Sequence, residues 1–130
     1  MNQATGKFQV KGTPVELDSV TKQIGAMRMS FDKTFEGVLN ATSVVAMMGI
    51  MDQSTGSGAY VALEKIDGEL ASKKGSFCLA HSSSMNRGIP KQSITVVPGS
   101  GTNELVGLSG SMEIEIKDGQ HFYSFTYSFE

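Results

Sequence analysis

Apolar and polar positions alternate with a period of two along almost the whole chain, and no long segment carries a helical stripe. In "TGKFQVKG", Phe8 and Val10 share one face while Lys7, Gln9 and Lys11 share the other. In "MRMSFDKTF", Met27, Met29, Phe31 and Phe35 stand against Arg28, Ser30, Asp32 and Thr34. A long strand is predicted from Val38 to about Met51, and another from Ala59 to Ile66. "GSFCLAHS" sets Phe77, Leu79 and His81 on one side with Cys78 and Ala80 opposite; "SITVV", "SMEIEI" and "HFYSFTYSF" complete the set.

Turn signals separate these segments at Ser54 to Gly58, Asp67-Gly68, Lys73 to Gly75, Asn86 to Gly88 and Asp118-Gly119. Asp118-Gly119 is the clearest hairpin, because a type I′ turn needs positive φ and glycine adopts it freely. Leu17 to Gly25 is the one place for a short helical turn. Seven or eight strands without intervening helices predict an all-β antiparallel fold, a sandwich or a closed barrel. With no linker or low-complexity tail, residues 1–130 read as a single domain.

Two strands are apolar on both faces. Val44, Ala46, Met48 and Ile50 alternate with Val45, Met47 and Met51, and Val61 and Leu63 oppose Tyr60, Ala62 and Ile66. A half-solvated strand shows polar residues outward, so something is expected to cover this pair. A second copy, in a homo-oligomer such as a dimer or trimer, is the most economical cover. The alternative is an internal flap of the chain.

Composition narrows the classes. A net charge of −2, with no basic block, gives no reason to expect nucleic acid as a partner. Cys78 is the single cysteine, which fits a reducing, cytoplasmic location. The first ten residues are polar, unlike a signal peptide. The longest apolar run, Val44 to Met51, is eight residues and too short for a membrane-spanning helix, so no membrane partner is expected.

The glycine-rich "VVPGSGTNELVGLSG", Val96 to Gly110, invites a phosphate-binding reading. Gly99 and Gly101 begin G-x-G-x-x-G, but Glu104 stands at the third glycine and would repel a pyrophosphate. No Gly-Lys-Ser/Thr follows, and Pro98 ends the preceding strand, so the stretch is predicted to be a structural turn. Gly107-Leu108-Ser109-Gly110-Ser111 misses the nucleophile elbow at its last position. Ser82 follows His81 directly, and strand neighbours point to opposite faces, so they make a poor dyad. Neither metal nor cofactor is expected. His81 and His121, the two histidines, fall in no ligand spacing, and Met47, Met48 and Met51 lack a nearby His or Cys.

One constellation remains as candidate chemistry. If Lys65 faces water, Glu64 points inward, sharing its face with Tyr60, Ala62 and Ile66. His81 shares a face with the core residues Phe77 and Leu79 on the next strand. A carboxylate and an imidazole inside a mostly apolar barrel form an acid/base pair, or simply pair with each other.

Several motifs resemble an uncharacterised, mainly bacterial family, the domain of unknown function numbered 3224. They are Lys33-Thr34-Phe35 with Gly37, Tyr60 to Glu64, Gly75-Ser76-Phe77 with Leu79 and His81, and Val97 to Thr102 followed by Glu104-Leu105, Gly107-Leu108 and Gly110. The closing strand Phe122 to Phe129 also fits, and the likeness runs from about Lys33 to the C-terminus. That family is similar in fold to the allene oxide cyclases of plants and, more distantly, to dirigent proteins. The resemblance implies an antiparallel barrel of about eight strands, lipocalin-like in general shape, around an apolar cavity.

Three functions follow as expectations. The first is a module binding an apolar small molecule, with Met29, Phe31, Tyr60, Phe77, Leu79, Tyr123 and Tyr127 as walls and Glu64 and His81 as polar anchors. The second is a cyclase or isomerase in which Glu64 or His81 is the catalytic acid/base. The third is a structural oligomer with a filled interior and no ligand.

Overall fold

The computed structural model describes residues 1–130. Eight strands, each hydrogen-bonded to the next in sequence, close into one antiparallel barrel. They are β1 (Asn2–Pro14), β2 (Met27–Gly37), β3 (Leu39–Asp52), β4 (Ser57–Leu70), β5 (Lys73–Asn86), β6 (Ile89–Val96), β7 (Leu108–Lys117) and β8 (Gln120–Phe129). Every alternating segment of the sequence becomes one of these strands. The short helix α1 (Ser19–Ile24) lies in the stretch that signalled a helical turn, with Asp18 capping its N-terminus and Gly25 ending it in the left-handed region. No helix is long and apolar enough to cross a membrane.

The hairpin turns follow the expected chemistry, with two corrections. Asp118 and Gly119 both have positive φ, 52° and 76°, as a type I′ turn requires. Lys73 to Gly75, read as a turn, opens β5 and pairs with Leu70 to Gly68 of β4. Asp67-Gly68, read as a turn, lies inside β4 and pairs with Thr42 and Ala41 of β3. The chain reverses instead at Ala71 and Ser72, which take the left-handed region at φ 50° and 71°. The reason is length: β4 and β5 keep pairing as far as Leu70↔Lys73, so Gly68 serves to let β3 approach rather than to turn.

The barrel interior is unevenly filled. One end holds a packed core in which Phe35, Leu39, Leu70, Phe77, Leu79, Leu105 and Phe125 are sealed from solvent. Phe77 stacks on Phe125 with centroids 5.7 Å apart, and Phe125 stacks on Tyr127 at 5.2 Å. The glycine-rich loop closes this end. Val97 and Thr102 donate backbone bonds to Cys78 and Ser76 of β5, and the Ser100 and Thr102 hydroxyls accept from the backbone N–H groups of Cys78 and Ser76. A short 3₁₀ turn (Asn103–Leu105) then drops Leu105 into the core. Gly75 is required where the loop crosses, because a side-chain carbon there would lie 2.2 Å from the Thr102 carbonyl oxygen. The stretch is structural, as its sequence predicted; that it also plugs this end of the barrel is a finding of the structure.

Tyr123 of β8 latches the same end. Its ring passes over Gly6 of β1 to the β2–β3 junction, and a Cβ at Gly6 would sit 2.7 Å from the hydroxyl. There the hydroxyl accepts from the Leu39 N–H at 3.1 Å, and its proton faces the Glu36 and Leu39 carbonyls at 2.9 and 3.1 Å. Burial pushes the Tyr123 phenol above its ordinary pKa, and the Leu39 N–H partly offsets the rise.

The opposite end stays open along a weak seam. β6 and β7 share a single register pair, Thr95↔Ser111, whereas other neighbours pair over long runs. Further along, the Gln92 side chain takes the place of a ladder bond by accepting from the Ile114 N–H at 3.2 Å.

On the outer wall, Val44, Val61 and Leu63 are 59%, 57% and 63% exposed, and no segment of the chain lies over them. The internal flap considered for β3 and β4 is therefore absent.

Removing the Tyr123 hydroxyl by Tyr123→Phe strands the buried Leu39 N–H. Chemical denaturation should show a loss of about 1–3 kcal/mol. An unchanged unfolding midpoint would mean that the latch contributes nothing.

Candidate functional site

Four inward-facing side chains meet where the packed core gives way to the open end. Glu64 of β4 lies opposite Val45 of β3 and Leu79 of β5. Ser43 and His81 are each two residues from those partners, hence diagonal neighbours whose side chains reach across the ladder. Lys33 of β2 lies directly opposite Ser43, completing a row across four adjacent strands.

All four are buried, Glu64 to 1% exposure. Glu64 Oε1 accepts from His81 Nε2 at 2.7 Å and from Lys33 Nζ at 3.2 Å, while Oε2 accepts from Ser43 Oγ at 2.6 Å. The Lys33 ammonium also lies over the rings of Phe8 and Phe35, 4.9 and 5.9 Å from their centroids. Burial drives the Glu64 carboxyl upward. The His81 hydrogen bond, the Lys33 charge and the Ser43 hydroxyl outweigh it and hold the pKa below the ordinary value. Glu64 is thus an ionised carboxylate with both oxygens hydrogen-bonded, Oε1 twice and Oε2 once.

An ionised carboxylate only accepts, so His81 must carry its proton on Nε2. Nδ1 is the ring nitrogen that makes no hydrogen bond to Glu64. No sealed side-chain nitrogen or oxygen in the barrel lacks a partner. Nδ1, which has no protein partner, is therefore not sealed, and His81 lines the space above the cluster.

That space is a cavity of about 320 Å³. Phe8, Phe31, Val45, Met47, Tyr60, Ala62, Ile114 and Ile116 supply its apolar walls, and Lys33, His81, Gln92 and His121 its polar groups. His121 packs against Phe8 with centroids 5.1 Å apart. Its volume lies at the small end of the roughly 300–1,000 Å³ typical of ligand sites. A cleft of about 440 Å³ beside Lys7, Gln9 and Glu36 is more polar-walled and reaches none of the buried charges.

The residues singled out from sequence divide between the two halves of the barrel. Glu64 and His81 are in direct contact, and Phe31 and Tyr60 line the cavity with them. Met29 lies on the same face of β2, nearer the rim, with its methyl beside Phe31 over Gly12. Phe77, Leu79, Tyr123 and Tyr127 belong to the packed core instead. Alternation assigns a side chain to the interior but not to a height along the barrel, and these four lie on the plugged side. Sequence reasoning passed over Lys33 and Ser43. Their signal was parity: Lys33 interrupts the inward row Phe31–Phe35, and Ser43 interrupts Ala41–Val45.

The lowered Glu64 pKa means that its ionised form contributes stability. That contribution is complete above the ordinary value of 4.5 and is lost as pH falls through the lower folded-state value. Denaturation midpoints measured below about pH 4.5 should therefore fall less steeply in Glu64→Gln than in the wild type. Asp18 and Asp52, whose lowered values come from their own turns, are common to both proteins. Equal slopes would show that Glu64 is not ionised in the fold.

Comparison with known proteins agrees with this architecture. A protein of unknown function from the DUF3224 family of Shewanella oneidensis MR-1, solved at 1.84 Å, is 45% identical to the chain. The match covers 100% of this chain and 98% of that one, with a TM-score of 0.91. No curated protein matches. The family model described as "Protein of unknown function (DUF3224)" matches residues 4–127, and the chain belongs to that family.

Proposed function

We propose that the barrel binds a small, mostly apolar molecule in the cavity, with Lys33, Glu64 and His81 as its polar floor. The observation that carries this reading is the contrast between the two ends of one interior. Large side chains pack the plugged end completely. At the other end the inward positions hold Ala62 and Val45, and a space of about 320 Å³ remains above buried charges. A barrel built only for stability would fill that space, since each unfilled methyl-sized void costs roughly 1 kcal/mol.

Native mass spectrometry of the purified protein, followed by solvent extraction, should show a bound small molecule. Ala62→Phe, which places a ring in the cavity, should remove it while leaving the far core and the fold intact. A clean apo mass for the wild type, together with failure of apolar probes to bind, would favour the ligand-free structural alternative.

A second reading, an isomerase or cyclase, is favoured by the free Nδ1 of His81. With Nε2–H held by the Glu64 carboxylate, the imidazole is oriented to accept a proton at Nδ1 from a molecule in the cavity. In that case His81→Ala or Glu64→Gln lowers turnover of an identified substrate by about 10²–10⁴-fold with the barrel still folded. Normal turnover in both variants would end this reading.

We also propose that a second copy of the chain covers the exposed apolar wall of β3 and β4. Val44, Ile50, Val61 and Leu63 form one outward face there, and self-association hides it without needing another protein. Leu63→Glu should shift the sedimentation coefficient from an oligomer to a monomer. A wild-type monomer at all concentrations would contradict the proposal.

A further inference from the structure

We propose that the cavity's ligand is an apolar monocarboxylate, seated on Lys33 and bound together with one proton that is shared with His81. The inference rests on the cavity-binding reading and deepens it by fixing the head group.

Lys33 and His81 carry hydrogen-bonding capacity that the protein leaves unused. Lys33 has three N–H donors, and Glu64 takes one of them. The rest of the ammonium faces Phe8, Phe35 and cavity space, and the side chain is only 8% exposed. Glu64 accepts from His81 and Lys33 at Oε1 and from Ser43 at Oε2, so both of its oxygens are already bonded. His81 has Nδ1 left over. With His81 neutral, the floor therefore offers strong donors from Lys33 and one lone pair from Nδ1, side by side, because Lys33 and His81 share the same Glu64 oxygen.

A ketone satisfies the donors and leaves Nδ1 unpaired. An alcohol does little for the ammonium. A carboxyl group with one exchangeable proton satisfies both, its oxygens accepting from Lys33 and its proton lying between oxygen and Nδ1. Charge points the same way. Lys33 and Glu64 already compensate each other, so a carboxylate entering alone would bury an unpaired negative charge, which is costly. One proton from solvent restores neutrality.

The charged and titratable groups facing this place are few. β2 contributes Lys33, β4 contributes Tyr60 and Glu64, and β8 contributes His121 at the cavity wall. From β6 and β7 come Gln92, Ile114 and Ile116, which carry no charge. His81 is thus the group adjacent to both Glu64 and the free space that can take up the proton. The walls around the head group are aromatic and aliphatic, so the body of the ligand is apolar.

The test compares three probes with one apolar body, 2-naphthoate, 2-acetylnaphthalene and 2-methylnaphthalene, by calorimetry at mildly alkaline pH. Two buffers of different ionisation enthalpy reveal protons taken up on binding. The naphthoate should bind about tenfold or more tighter than the ketone, with uptake of about one proton, because hydrogen bonds to charged groups are roughly twice as strong as neutral ones. Lys33→Met should bring the naphthoate down to the level of the ketone while ketone binding persists. Should that variant unfold, Lys33→Met combined with Glu64→Gln removes the pair together and serves for the same comparison. Equal binding of all three probes overturns the head-group assignment and leaves the apolar cavity standing. A preference for naphthoate without proton uptake overturns the part given to His81. Failure of every probe to bind overturns the cavity reading and this inference together.

Discussion

The Glu64 carboxylate sits inside a barrel whose interior is otherwise almost wholly apolar, and burying such a charge alone costs several kcal/mol. Three donors from three other strands, Lys33, Ser43 and His81, make that burial tolerable. The constraint runs both ways. Because the donors come from β2, β3 and β5, the register of these strands against β4 is fixed by polar contacts as well as by apolar packing. A slip of one residue would turn Lys33 and Glu64 outward and point Thr34 and Lys65 into the core. The cluster also fixes the tautomer of His81 and so decides which nitrogen meets the cavity.

Below the cluster, the barrel is closed by devices that need glycine. Gly75 admits the Val97–Leu105 loop onto β5, and Gly6 admits the Tyr123 ring across β1. Above it, the β6–β7 seam and the small inward residues leave space. One sheet thus carries a rigid, plugged end and a looser, open one. The charged cluster lies at their boundary, where it is shielded from bulk water yet reachable from the cavity. Ligand sites in small barrels fit this division, because rigidity at the far end holds the polar floor in place while the mouth adapts.

Much of this was readable in the sequence because strand periodicity converts directly into facing. The eight strands, the inward placement of Glu64 and His81 and the role of the glycine-rich stretch all followed from parity and turn chemistry. Height along the barrel did not, since it depends on shear between strands that single-strand patterns do not carry. For that reason Phe77, Leu79, Tyr123 and Tyr127, which alternation places inward like the cavity walls, lie in the packed core instead. Lys33 was missed for another reason. A lysine between two inward phenylalanines reads as an exception to be ignored, unless an inward carboxylate elsewhere is already seeking a partner. Asp67-Gly68 misled because turn chemistry and close strand approach both select glycine.

The central claim is that Glu64 is ionised and holds the His81 proton on Nε2, leaving Nδ1 open to the cavity. Long-range ¹H–¹⁵N NMR of the histidine ring reads this directly. The account predicts that the neutral form of His81 is the Nε2–H tautomer, with a pyridine-like Nδ1. It further predicts that Glu64→Gln weakens the tautomer preference. An Nδ1–H tautomer in the wild type would mean that Nε2 accepts a hydrogen bond from a neutral Glu64 carboxyl, and would contradict the account.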